Sequence, residues 1–272
     1  MAVQLDAVRK ARYGETAELG ISDQEIAERY EGVFTAAVND VLREMNYLYQ
    51  TLPHDILPLR DHMKVAGIAF TLKGSKNLDL TDEMIDRAKM LEAIPPCSVC
   101  VWDTSGDDES AQWGEIMTLA SMKRGCRGAV VDGGIRDTDR ILQLGFPAFS
   151  RYRTSNGMAG RFRMIGYQMP VQIGGVQIRP GDIIFGDIDG VLVIPREIAL
   201  EVLEKAEAIR DNEEGIKEMH EIISLPLMAA MGGSGRELVY LGPIIQAIQE
   251  FTRNAMQSEK TAYSMDYWFN RN

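Results

Sequence analysis

The 272-residue sequence predicts an α/β layered domain, and three observations carry that reading. Apolar residues at helical spacing alternate with short β-branched runs between residues 22 and 150. From Val171 to Ile194 the pattern changes to short strands punctuated by glycine turns, a meander joined to the layered part. An apolar share of 45% beside 25% charged residues gives such a chain enough apolar surface for a large core.

Taken in order, Ser22-Asp-Gln-Glu25 is a capping-box signature with Ile26, Tyr30, Val33 and Phe34 following at helical spacing, so a helix starts there. A second helix is expected over Ala36 to Met45. The prolines of TLPHDILPLRDHM then force a loop before a strand over Val65 to Leu72. Helices are expected over Thr81 to Leu91, Ala111 to Arg124 and Thr138 to Leu144. Strands are expected over Val99 to Trp102, Ala129 to Val131 and Phe146 to Ser150. Val171-Gln-Ile and Val176-Gln-Ile flank Gly174-Gly175, a hairpin signal. Further strands over Ile183 to Phe185 and Val191 to Ile194 complete the meander. Ile198, Val202, Ala206 and Ile209 mark a helix from Arg196 to Ile223. In the last fifty residues Ile244, Ile248 and Phe251 share a helical face, and TAYSMDYWFNRN ends the chain with aromatic residues. This stretch is expected to pack as an arm on a neighbouring subunit or on its own chain.

Twenty-nine basic against forty acidic side chains give a net charge of -11, which disfavours nucleic acid and anionic membrane surfaces as partners. The first twenty residues lack the apolar core of a secretory signal and no window is apolar enough to span a bilayer. The location expected is cytoplasmic. Cys97, Cys100 and Cys126 read as small apolar residues, not as a redox or zinc set. His54, His62 and His220 show no metal-ligand spacing.

The stretch most charged with chemistry is VVDGGIRDTDRI, Val130 to Ile141. A strand that turns at Gly133-Gly134 and feeds a helix near Thr138 puts Arg136 and Asp137 beyond the carboxyl end of a strand, where α/β sheets bind ligands. An alternative stays open from spacing alone, in which Asp137 caps the helix and Arg136 pairs with a surface acid. Gly114 and Glu115 open the preceding helix, whose free amides can hold an anion. A hard divalent ion needs only one or two carboxylates, so Asp137 directly and Glu115 through water would suffice. Arg136 could then grip a substrate carboxylate.

WGEIMTLASMKRGCRGAVVDGGIRD, together with VAGIAFTL and IGGVQIRPGDIIFGDIDGVLVIP, resembles the RraA-like family. That family includes the regulator of ribonuclease activity and the 4-hydroxy-4-methyl-2-oxoglutarate/4-carboxy-4-hydroxy-2-oxoadipate aldolases. The resemblance covers residues 20–223 and leaves 224–272 as a C-terminal helical extension. It implies an α/β/β/α sandwich of the swivelling β/β/α type, assembled as a homotrimer or hexamer with active sites at subunit interfaces. For the aldolase branch it implies that Asp137 binds Mg2+ or Mn2+, Arg136 contacts the pyruvyl group and Glu115 holds a catalytic water. The backbone from Gly114 and Glu115 to Ile116 and Met117 would receive the substrate carboxylate. The implied chemistry is retro-aldol cleavage of a 2-oxo acid through a metal-bound pyruvate enolate, with oxaloacetate decarboxylation beside it. One departure is that Arg140 stands where the aldolase motif has an acid, and members acting as ribonuclease regulators lack that acid too. A non-enzymatic regulator of a protein partner, or a lyase or hydratase acting on a sugar-acid derivative, is the alternative. Arg151, Arg153, Arg161, Arg163 and Arg179 could line an entrance for an acidic substrate or pair with surface acids.

Overall fold

A computed structural model describes residues 5–13, 17–81 and 83–213. The chain divides into two units, Met1–Arg210 and Asp211–Asn272. The expected arm at 224–272, His220 and the end of the last expected helix lie outside the described residues.

Helix α1 (Leu5–Tyr13) precedes α2 (Asp23–Glu31), where Ser22 acts as the cap, its side chain accepting from the Glu25 amide at 3.0 Å. Helix α3 (Thr35–Glu44) is anchored by Asp187, which accepts from the Thr35 amide at 2.9 Å and hydroxyl at 2.7 Å. Strands β1 (Leu57–Pro58), β2 (Val65–Lys76), β3 (Ser98–Asp103), β4 (Ala111–Trp113), β5 (Gly128–Ile135), β6 (Ala148–Arg153) and β7 (Phe162–Tyr167) follow. Helices α4 (Glu83–Ala93), α5 (Glu115–Lys123) and α6 (Thr138–Gln143) are interleaved with them. Hairpin β8 (Val171–Ile173) and β9 (Val176–Ile178) forms as its glycine turn predicts. Strands β10 (Ile183–Asp187) and β11 (Gly190–Ile194) then lead to helix α7 over residues 199–213.

The main sheet runs β1-β6-β5-β3-β2-β10-β11, with β4 added to β5 and β7 to β2. Strands β2, β3, β5 and β6 are parallel neighbours; β10 and β11 are antiparallel. The segment between Gln50 and Pro58 bonds to β11 at one end and to β6 at the other, so the curled sheet nearly closes. Alternation along the strands splits the side chains into an inner and an outer set. The inner set, with Val99, Val101, Val130, Phe149, Ile184 and Val193, fills the space between the two halves of the sheet. On one outside, Ile26, Tyr30, Val38, Phe185 and Val202 form the core under α2, α3 and α7. On the other, Phe70, Trp102, Met117, Val131 and Ile141 form the core under α4, α5 and α6. Helix, sheet, sheet, helix is the layering the resemblance implied.

Elements α1, β1 and β7 have no counterpart in the sequence reading, and two expected elements differ from it. Residues 111–113, expected as the start of a helix, form β4, and α5 begins only at Glu115. Strand β5 does not end at Gly133-Gly134 but runs through both to Ile135. Those glycines serve close approach by the protein itself: a Cβ at Gly134 would lie 2.4 Å from the Ser110 carbonyl, and one at Gly133 would lie 2.5 Å from Gln112 Oε1. Cys126 lies with its Sγ 3.7 Å from that of Cys100 in the core.

Candidate active site

The parallel strands deliver their carboxyl ends to one edge of the sheet. Gln112 Oε1 accepts from the Gly134 amide at 2.9 Å, and the Trp113 carbonyl accepts from the Arg136 amide at 3.0 Å, so β4 fixes the end of β5. Trp113 in turn donates to Thr118 at 2.8 Å and stacks on Phe146, which sets the start of α5. The N-termini of α5 and α6 therefore meet beside Arg136.

Asp137 takes the cap position of α6 in a left-handed conformation at φ 53°, a region Asp tolerates better than most residues. Its side chain does not cap that helix. Oδ2 instead accepts from the Glu115 amide at 3.2 Å and lies 3.7 Å from Arg136 Nε. The helix-cap alternative thus fails at the side chain. Oδ1 has no partner among the described residues. Gly114 makes this possible, because a Cβ there would lie 2.8 Å from Asp137 Oδ2 and 3.3 Å from Arg136 Cγ. Gly157 makes similar room on the other flank, where a Cβ would lie 2.8 Å from Arg136 Nη1.

Glu115 occupies the first turn of α5, and its Oε2 is 2.9 Å from Arg140 Nη1. The Arg140 pKa is raised, chiefly by its hydrogen bond to the Glu115 carboxylate, with the negative charges of Asp139 and Asp137 acting in the same direction. With the Glu115 amide given to Asp137 and the Thr118 amide to the Gly114 carbonyl, the amides of Ile116 and Met117 are the first-turn donors left without a partner among the described residues. Gly114, Glu115, Ile116, Met117, Arg136 and Asp137 are accordingly all brought to one place.

A cavity of about 530 Å3 opens here, lined by Arg136, Asp137, Thr138, Arg153, Thr154 and Ser155. Asp139 also borders it. Thr154 and Ser155 carried no signal of their own in the sequence. Arg153 lay in the arginine-rich segment but was not distinguished from its neighbours. No group of three or more Asp, Glu, His or Cys side chains converges among the described residues. One free carboxylate oxygen on Asp137 fits a hard divalent ion that keeps most of its water, and does not fit a closed protein cage.

A second row of charges stands at the same strand ends, on the inner face. Lys73 Nζ lies 2.6 Å from Asp103, its register partner across β2 and β3, and Arg151 Nε lies 2.5 Å from Asp132 Oδ1. Burial raises the Asp132 pKa, opposed by Arg151, which also pairs with Asp55. Three of the five arginines of the segment from Arg151 to Arg179 are ion-paired elsewhere: Arg151 as above, Arg163 with Asp79 and Asp86, and Arg179 with Glu197. Arg161 bonds the Gly157 carbonyl.

The chain matches the RraA-like model, described as Aldolase/RraA, over residues 35–193. It is 35% identical over 187 residues to the "Putative 4-hydroxy-4-methyl-2-oxoglutarate aldolase" of Halalkalibacterium halodurans, covering 68% of this chain and 84% of that protein. Protein DlpA of Legionella pneumophila is 35% identical over 162 residues, 60% of this chain but only 26% of DlpA. A crystal structure described as that of novel cellulases from microbes associated with the gut ecosystem is 47% identical with a TM-score of 0.75, covering 78% of this chain and 96% of that one. Streptomyces coelicolor RraAS2, an unusual member of the RNase ES inhibitor RraA protein family, is 28% identical with a TM-score of 0.65, covering 72% and 97%. The chain belongs to the RraA-like family.

Proposed function

We propose that this protein is a divalent-metal-dependent lyase, an aldolase or decarboxylase acting on a 2-oxo acid. The observation that carries the reading is the convergence of Arg136, an open Asp137 oxygen and the free amides of Ile116 and Met117. Bound at Asp137, Mg2+ or Mn2+ would supply a Lewis acid for the charge that develops on the 2-oxo oxygen. The remaining work falls to the chain. The Ile116 and Met117 amides, at the positive end of α5, receive the substrate carboxylate, while Arg136 orients the pyruvyl end. In an aldol cleavage the C3–C4 bond breaks, the C4 hydroxyl becomes a carbonyl and the electron pair passes into the pyruvate enol system. Glu115 accepts the hydroxyl proton through a water, and a proton later returns to C3.

Glycoside hydrolysis suits the site less well. It calls for two carboxyl groups flanking the scissile bond, one of them protonated. Here Glu115 is ion-paired with Arg140, and Asp137 accepts an amide.

The proposal includes assembly as a homotrimer or hexamer in the cytoplasm. Ile116, Leu119 and Met122 form an exposed apolar stripe along α5 beside the site, which a neighbouring copy would cover. Among the described residues no helix is long and apolar enough to cross a membrane.

The test is pyruvate release from oxaloacetate and from 4-hydroxy-4-methyl-2-oxoglutarate, with Mg2+ and with a chelator. Chelator-sensitive release, lost in Arg136→Ala, is the expected result. A folded protein that releases pyruvate from neither would end the lyase reading.

A further inference from the structure

Arg153 and Arg161 are the two arginines of this segment without an acidic partner among the described residues; Arg161 donates to the Gly157 carbonyl, and of the two only Arg153 lines the cavity. Arg151 is taken by Asp132 and Asp55, Arg163 by Asp79 and Asp86, and Arg179 by Glu197. Arg153 donates through Nη2 to the Leu59 carbonyl at 3.1 Å, and no acid among the described residues pairs with it. It is exposed, and it lines the same cavity as Arg136.

Its position is set by the sheet and not by a mobile loop. Arg153 and Ile135 are register partners in the parallel pair β5 and β6, and the Thr154 amide donates to the Ile135 carbonyl at 3.1 Å. Arg153 is thereby held beside the residue from which Arg136 departs. The cavity presents two guanidinium groups, with the hydroxyls of Thr138, Thr154 and Ser155, against the carboxylates of Asp137 and Asp139. A divalent ion on Asp137 would leave an excess of two positive charges. A ligand with two carboxylates neutralises that excess; one with a single carboxylate leaves a guanidinium unmatched.

We infer that Arg153 determines specificity by binding the second, distal carboxylate of a 2-oxo dicarboxylate while Arg136 holds the pyruvyl end. This rests on the 2-oxo-acid reading above and adds the residue that recognises the second carboxylate its two candidate substrates carry. Arg153 has the fixed fork geometry for a carboxylate, and its Leu59 contact uses only one of its donors.

Two unreactive probes of equal chain length, 2-oxoglutarate and 2-oxopentanoate, differ only in a terminal carboxylate against a methyl group. Calorimetric titration in Mg2+ should show the wild-type protein binding 2-oxoglutarate roughly tenfold or more tightly than 2-oxopentanoate. In Arg153→Ala that preference should collapse toward one, Arg153→Lys should restore part of it, and Arg163→Ala should leave it in place. A wild type without the preference, a preference that survives Arg153→Ala, or equal weakening of both probes would overturn the inference. Equal weakening would assign Arg153 to anchoring the Leu59 backbone. Pyruvate assays on the same proteins separate the two claims. No turnover with an Arg153-dependent preference removes the lyase reading alone, whereas turnover with a preference indifferent to Arg153 removes this inference alone.

Discussion

Two arginine and aspartate pairs stand at the ends of the same parallel strands, and they are built for opposite purposes. On the inner face Asp132 is 9% exposed and meets Arg151 at 2.5 Å, while Lys73 closes on Asp103 at 2.6 Å. Every charge there has a counter-ion in hydrogen-bonding contact. Further along β5, Arg136 and Asp137 are 47% and 39% exposed and stand 3.7 Å apart, beyond hydrogen-bond distance. The strand, the left-handed turn at Asp137 and two glycines hold them open. A charge pair that satisfies itself is scaffold; a pair that the backbone keeps from closing retains bonding capacity for a ligand.

The sharpest way to break the comparison is to remove the aspartate from each pair. Asp137→Ala should lower metal-dependent turnover by about a thousandfold and the melting temperature by only about 2 to 4 °C, since its side chain caps no helix and the cost to the fold is that of alanine at φ 53°. Calorimetric loss of Mg2+ binding would accompany it. A variant that melts far lower would return Asp137 to the scaffold. Asp132→Ala should do the reverse and cost about 2 kcal/mol of stability in urea titration, because it removes the charged hydrogen bond to Arg151 and leaves that side chain only the more exposed Asp55 as counter-ion. If Asp132→Ala were as stable as the wild type, the inner row would not be the scaffold described.

A buried carboxylate of the scaffold also gives the fold a response to pH. Burial pushes the Asp182 carboxyl up to about 6, against the opposing hydrogen bonds from the Arg179 and Arg196 amides. A carboxyl whose pKa is raised on folding binds its proton more tightly in the native state. Its contribution is therefore complete below the ordinary value of 3.8 and is lost as pH rises through about 6. Between pH 4 and pH 6 the wild type should lose about 2 kcal/mol relative to Asp182→Asn, whatever the constant offset between the two proteins. Parallel stability curves would show that Asp182 does not titrate in this window.

Local rules made some of this legible in the sequence. Ser22 and Glu25 marked a helix start, Gly174-Gly175 marked a hairpin, and Arg136-Asp137 were placed at a strand end, all by interactions a few residues apart. The errors arose where partners distant in sequence decide the outcome. Ala111 to Trp113 have a helical pattern but become strand because β5 offers them an edge. Gly133 and Gly134 look like a turn, yet Gln112, Ser110 and Tyr152 pack against them and require an absent side chain within a continuing strand. Arg153 was one arginine among five until the register of β5 against β6 set it beside Arg136. Register across parallel strands leaves no local trace in composition or spacing, and it decides which side chains share a site.

Arg140 lies between the two classes, which makes it the finest test of the distinction. It closes on Glu115 at 2.9 Å as a scaffold pair would, yet its side chain is 60% exposed and Glu115 belongs to the site. An ion pair so open to water is worth little to the fold, so Arg140→Ala should change stability by no more than about 0.5 kcal/mol. The same change frees a carboxylate that the proposed mechanism uses to take a proton. Relieved of its counter-ion, Glu115 should accept that proton more readily, and kcat should rise roughly twofold to threefold with oxaloacetate or the hydroxy-oxoglutarate substrate. Melting curves and kcat measured on one preparation check both halves. A large drop in stability would make the pair scaffold after all, and an unaltered kcat would remove Glu115 from the proton path while leaving Arg136 and Asp137 in place.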